Sequence, residues 1–140
     1  MRRFIIIVFC FILQGCTSTI YVSSNEPNET QALVYFIRQR AEPTMWNLWI
    51  YADNNKVASI SNNSYVRFNL PIGDRTIRLE WPPLAASVEY ENKVVLQPRS
   101  TYYFLITGEV GKRSGILFEE LKFYEITENH AQELMVLIDS

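Results

Sequence analysis

Thiol and imidazole chemistry are nearly missing from this chain, which has two cysteines and one histidine in 140 residues. Both cysteines, Cys10 and Cys16, precede Thr17, so the rest of the chain has no disulfide framework and must fold by packing alone. A Ser-His-Asp or Cys-His system needs a base within hydrogen-bond reach of its nucleophile. Zinc needs three or four protein ligands. His130 alone supplies neither arrangement, so no catalytic residues, no metal and no cofactor are expected, and His130 reads as a surface residue near Glu128 and Glu133. Positive charge is also scarce: 13 Lys+Arg stand against 15 Asp+Glu, which leaves no basic stripe for nucleic acid. The nearest basic cluster, Lys112-Arg113, is too small to change that. Gly111-Lys112-Arg113-Ser114 is not a phosphate loop either, because Ile106 stands where that motif needs its first glycine. A membrane-spanning run of roughly twenty apolar residues is lacking as well.

What is present begins at the N-terminus. Met1-Arg2-Arg3, the apolar run Phe4 to Leu13 and the small residue Gly15 before Cys16 have the layout of a secretory signal. Leu13-Gln14-Gly15-Cys16 resembles the lipobox of a bacterial lipoprotein, in which Cys16 becomes the lipidated first residue. The resemblance implies residues 1–15 as a signal peptide and a stable acyl anchor of more than one chain, since a single chain binds only marginally. It also implies a membrane partner through the lipid on Cys16. Thr17 stands where an aspartate would retain a Gram-negative lipoprotein in the inner membrane, so the outer membrane, periplasmic face, is the expected location. Removing the first 15 of 140 residues leaves 125, the usual size of one domain. Arg2 and Arg3 leave with the signal, so 11 Lys+Arg face 15 Asp+Glu and the remaining net charge is −4.

Residues 16–31, rich in Ser, Thr, Asn and Glu and containing Pro27, have the composition of a tether. Within it, Ile20-Tyr21-Val22 is an apolar interruption that could add a short strand. From Ala32 to Ser140 the pattern is that of one β domain. Ala32 to Gln39 is apolar on both faces, as a central strand is. Asn47 to Ala52 and Lys56 to Ile60 flank Asp53-Asn54-Asn55, residues that tolerate left-handed angles, and predict a hairpin. Ser61-Asn62-Asn63 makes the next turn. Tyr65 to Leu70 alternates with Val66, Phe68 and Leu70 inward. Leu70-Pro71-Ile72-Gly73 reads as a type I turn. Thr76 to Trp81 alternates with Ile77, Leu79 and Trp81 on one side, and Pro82-Pro83 ends it. Val88 to Leu96, Thr101 to Thr107 and Ile116 to Tyr124 are further strands. Ala131, Leu134, Met135 and Ile138 then recur at helical spacing behind the N-cap candidate Thr127. This stripe is expected to cover a sheet edge or face. The fold class predicted is mainly β, an antiparallel β-sandwich of about seven or eight strands with a short C-terminal helix.

Ala32-Leu33-Val34-Tyr35-Phe36-Ile37-Arg38, Ile60-Ser61-Asn62-Asn63-Ser64-Tyr65-Val66, Leu70-Pro71-Ile72-Gly73 and Gln97-Pro98-Arg99-Ser100-Thr101-Tyr102-Tyr103 together resemble the DUF2846 family of bacterial lipoproteins, over about Ala32 to Thr107. Pro71-Ile72-Gly73-Asp74-Arg75 lacks that family's second proline and histidine, and Arg99 replaces a turn glycine, which points to distant kinship. The resemblance implies a transthyretin-like or carboxypeptidase-regulatory-like sandwich and brings no catalytic residues.

Trp46, Trp49, Tyr51 and Trp81 lie at or near strand ends, where a sandwich exposes its loops. Tryptophan is favoured in binding hot spots, which makes Trp46 and Trp81 the candidate binding residues. Core packing is the favoured reading for Trp49 and Trp81, which lie on strands, and Trp46 beside Pro43 is the exception. Glu89 and Glu91 would share a strand face about 7 Å apart, a separation compatible with glycosidase chemistry, although solvated strand charges explain them better. The expectation is therefore a lipid-anchored, non-enzymatic binding or assembly module of the cell envelope with an envelope protein as partner. The alternative is a glycan- or peptidoglycan-binding, or hydrolytic, envelope protein, which requires Trp46, Trp81 and Glu89/Glu91 to converge in one cleft.

Overall fold

The computed structural model describes residues 26–42, 44–85, 89–113 and 116–140, with side chains described except at 110–119. The lipobox, Cys16, Ile20-Tyr21-Val22 and Val88 lie outside the described residues. Along the chain come β1 (Gln31–Ala41), β2 (Leu48–Ala52), β3 (Asn55–Ile60), β4 (Ser64–Pro71), β5 (Gly73–Glu80), β6 (Glu89–Leu96), β7 (Thr101–Arg113), β8 (Ile116–Glu125) and α1 (Glu128–Asp139). The strands make two four-stranded sheets, β4-β1-β7-β8 and β3-β2-β5-β6, packed face to face. This is the mainly β sandwich with a C-terminal helix that the alternation predicts.

β1 is apolar on both faces because both are covered. Ala32, Val34 and Phe36 point into the space between the sheets, and Ile37 packs on the opposite face against Leu105 and the helix residues Ala131 and Leu134. Thr127 caps α1, its Oγ1 accepting from the His130 N–H at 3.4 Å. The helix therefore covers a sheet face, the role its stripe predicts. Between the sheets, Phe36 lies 5.3 Å from Phe68, 5.6 Å from Phe104 and 6.0 Å from Phe123, a row of rings that spans the inner face of one sheet. Each such ring, once buried, stabilises the fold by about 1.5–3 kcal/mol.

Three features depart from the sequence pattern. β1 and β7 pair in parallel, Leu33 with Thr101 through Arg38 with Ile106. No tight turn joins these two strands, so burial rather than connection sets their direction, and a strand buried on both faces suits a parallel neighbour. β7 extends beyond Thr107 to Arg113 and forms a long hairpin with β8. Trp49 is not in the core: Leu48, Ile50 and Ala52 take the inward positions of β2, so Trp49 and Tyr51 face out. Outside the sheet, Lys56 Nζ lies 4.1 Å from the Trp49 ring centroid and the Arg78 guanidinium 4.2 Å from that of Tyr51.

The sandwich has two distinct ends. At one, Asp53 (φ 48°) and Asn54 (φ 68°) take the left-handed angles of a two-residue hairpin. Nearby, Gly73 (φ 96°) turns the chain from one sheet to the other, and Arg99 takes φ 56°. The chain joins β1 at this same end. Asn28 Oδ1 accepts from the Thr30 and Gln31 N–H groups at 2.9 and 3.0 Å, its carbonyl accepts from Arg99 N–H at 2.9 Å, and Glu29 pairs with Arg99. The last residues of the expected tether are thus docked on the domain. The opposite end carries the β1–β2 loop, the Ser61–Asn63 turn and the loop after β5.

Candidate functional site

The loops of that opposite end are organised from β1. Four residues, Arg38 to Ala41, span what the three from Ile106 to Gly108 span on β7, so β1 carries a bulge, with Arg40 at φ 48°. The β3–β4 turn takes up the amides that the bulge frees: Asn62 Oδ1 accepts from Ala41 N–H at 3.1 Å and Asn63 Oδ1 from Arg40 N–H at 3.3 Å.

Arg38 lies on the inner face below the bulge and is completely buried. Its Nη1 donates to the carbonyl oxygens of Trp46 at 2.7 Å and Ile60 at 2.9 Å, and its Nη2 to that of Ala41 at 2.8 Å. The guanidinium carbon is 4.8 Å from the centre of the Trp81 ring, within cation–π range. Burial pulls the Arg38 pKa down to about 10, which still leaves it charged near neutrality. One cation therefore ties the end of β1, the end of β3, the β1–β2 loop and the residue after β5 into a single base.

On that base stand two loops that leave the sandwich side by side, because Trp49 near the start of β2 pairs with Glu80 at the end of β5. Met45 is 90% exposed on the first, Leu84 is 89% exposed on the second, and Trp46 is 39% exposed. The second loop is closed by the Ala85 N–H donating to Pro82 O at 2.8 Å. Isolated exposed apolar residues are ordinary. Here two adjoining loops carry them together over a hydrogen-bonded base.

Of the two tryptophans that the sequence nominates, Trp46 offers its ring to solvent and Trp81 does not. Trp81 is 3% exposed, and its indole serves as the platform for Arg38. The two meet at Arg38, Trp46 through its carbonyl and Trp81 through its ring. Glu89 and Glu91 are solvent-facing and pair with Glu80 and Arg78 on the outer face of their sheet, with Arg78 Nη1 2.5 Å from Glu80 Oε2. Trp81 points to the inner side, so the cleft uniting Trp46, Trp81 and Glu89/Glu91 is not formed. His130 is exposed in the first turn of α1. Among the described residues no three His, Cys, Asp or Glu side chains are grouped to hold a metal, and no helix is long and apolar enough to cross a membrane.

Arg38 is the residue that sequence reasoning missed. Besides its place at the end of the first resemblance motif, its signal is a charge that directly follows the apolar run Ala32 to Ile37 in a strand apolar on both faces, where a solvated arginine has no place. Compared with protein-family models and with curated proteins, the chain matches none.

Proposed function

We propose that this chain is a lipid-anchored, non-enzymatic binding or assembly module of the bacterial cell envelope, a distant relative of the DUF2846 lipoproteins. It is attached through Cys16, most naturally to the periplasmic face of the outer membrane, and offers its loop end to an envelope protein. The observation that carries this reading is the separation of the two ends. The chain joins β1 at the end that carries Asp53-Asn54, whereas Met45 and Leu84, at 90% and 89% exposure, stand on loops of the other end. An anchor that precedes β1 would leave those loops facing away from the bilayer and open to a partner. The left-handed angle of Arg99 supports the family reading, because it keeps the backbone of a turn in which the family has glycine.

The anchoring half is tested by replacing Cys16 with Ser and following acyl labelling and membrane fractionation in a Gram-negative host. The expected result is loss of the lipid label and release of the protein from the membrane. Unchanged label and membrane residence would overturn it.

A further inference from the structure

Between the C-terminal half of α1 and the outer face of β1 and β4 lies a groove of about 560 Å³, lined by Tyr35, Tyr65, Arg67, Gln132, Met135 and Val136, with Asp139 at the helix end. This volume suits a small ligand. Its polar groups have capacity to spare. Arg67 Nη1 donates to Tyr35 Oη at 3.2 Å; among the described residues this is its only side-chain hydrogen bond and it forms no ion pair, although the Glu26 carboxylate is near enough to favour its charge. A guanidinium has five N–H donors, so most of its fork is open. Tyr35 Oη, accepting from Arg67, keeps its own proton to donate, and the ring is held by stacking on Tyr103 with centroids 4.9 Å apart.

Asp139 adds a group of opposite character. A carboxylate in the last turn of a helix stands at the unfavourable end of the macrodipole, and α1 has no basic residue there to offset it. It is held instead by Tyr65, whose hydroxyl donates to Asp139 Oδ2 at 3.2 Å. Burial, and then Asp139 itself, raises the Tyr65 pKa, so that hydroxyl remains a donor. The groove thus pairs an open fork of donors with a carboxylate acceptor, and Met135 and Val136 form an apolar wall beside them.

We infer that this groove binds a small ligand bearing a carboxylate with an N–H group close by, as at the C-terminus of a peptide. Arg67 takes the carboxylate through two parallel N–H donors, Tyr35 donates a further hydrogen bond, and Asp139 accepts from the ligand's N–H. The nearby Asp139 charge disfavours a dianion, which separates a carboxylate from a phosphate.

The test is titration of the full chain, isotope-labelled and held in detergent micelles, with N-acetyl-alanyl-alanine, followed by amide NMR. Its C-terminal amide and inorganic phosphate serve as the comparison probes. The expected result is saturable shifts at Tyr35, Arg67 and Gln132 with a dissociation constant of about 1 mM, no saturable shift with the amide, and weaker binding of phosphate. Arg67→Gln weakens binding of the acid by about tenfold or more. Tyr35→Phe, which keeps the ring and its stacking, weakens it about threefold or more. Absence of saturable shifts, equal binding of the amide or of phosphate, or unchanged affinity in both variants, would overturn the assignment.

Discussion

At Arg38 a guanidinium that would normally be hydrated is surrounded by three carbonyl oxygens and an indole ring. The Ala41 and Trp46 carbonyls are near Arg38 in the chain, but the Ile60 carbonyl and the Trp81 ring come from the ends of β3 and β5, so the side chain does the work of a small polar core at the loop end. Arg38→Met keeps most of the volume but removes the donors and leaves buried acceptors unpaired. It should lower stability by about 3 kcal/mol in urea unfolding. Arg38→Lys restores only part of this, because an ammonium lacks the planar fork. At the other end Asp53 has a comparable but exposed role. The Thr76 N–H bonds Asp53 Oδ1 at 3.0 Å and Arg75 Nη1 lies 2.6 Å from Oδ2; these two, in that order, hold the carboxyl below its ordinary value of 3.8. A depressed carboxyl pKa adds stability above the unfolded value, and this is lost as pH falls through the folded one. The melting-temperature difference between the native chain and Asp53→Asn should therefore be present at about pH 6 and shrink as the pH falls below 3.8. Asp53 was legible in the sequence as a turn residue. Its bonds to Thr76 and Arg75 were not, because they join a turn to a strand more than twenty residues away.

At the scale of elements, local periodicity carried most of the information. Period-two alternation marks Phe68 and Leu70 in β4 and Ile77 and Leu79 in β5 as core residues. Helical spacing marks Ala131 and Leu134 in α1. Alternation also places Trp49 outward once Leu48 and Ile50 are taken as core, yet the size of the indole argues the other way, and alternation wins. What local pattern cannot show is which distant strands pair. β4 and β5 are consecutive but lie in different sheets, and β1 joins β7 in parallel, outcomes set by packing over the whole chain. The β7–β8 hairpin illustrates the same limit. Gly108 lies on β7 beside Leu121, and a Cβ there would stand 2.6 Å from the Glu120 carbonyl oxygen. Backbone atoms in a paired strand cannot step aside, so Gly108→Ala should destabilise by about 1–3 kcal/mol, read from the shift of the denaturation midpoint. In the sequence Gly108 looks like an ordinary strand breaker, and only the paired backbone reveals the close approach.

For the whole molecule, the arrangement is a polarised sandwich: the chain joins it at one end, and the loops built on Arg38 display Met45, Trp46 and Leu84 at the other. The sequence made the sandwich and its terminal helix legible, because burial leaves a periodic trace along each strand. The loop end was legible only in part. Trp46 stood out as a residue near a strand end, but the support beneath it depends on a buried charge that no period announces, and the groove beside α1 arises only where helix and sheet meet. The proposed function rests on this polarity. Its most direct test is site-specific photo-crosslinking in cells, with a photoreactive amino acid placed in turn at Met45, Leu84 and, on the opposite end, Asn54. The account predicts that Met45 and Leu84 capture the same envelope protein and that Asn54 does not. No product from either loop position, or the same product from Asn54, would contradict it.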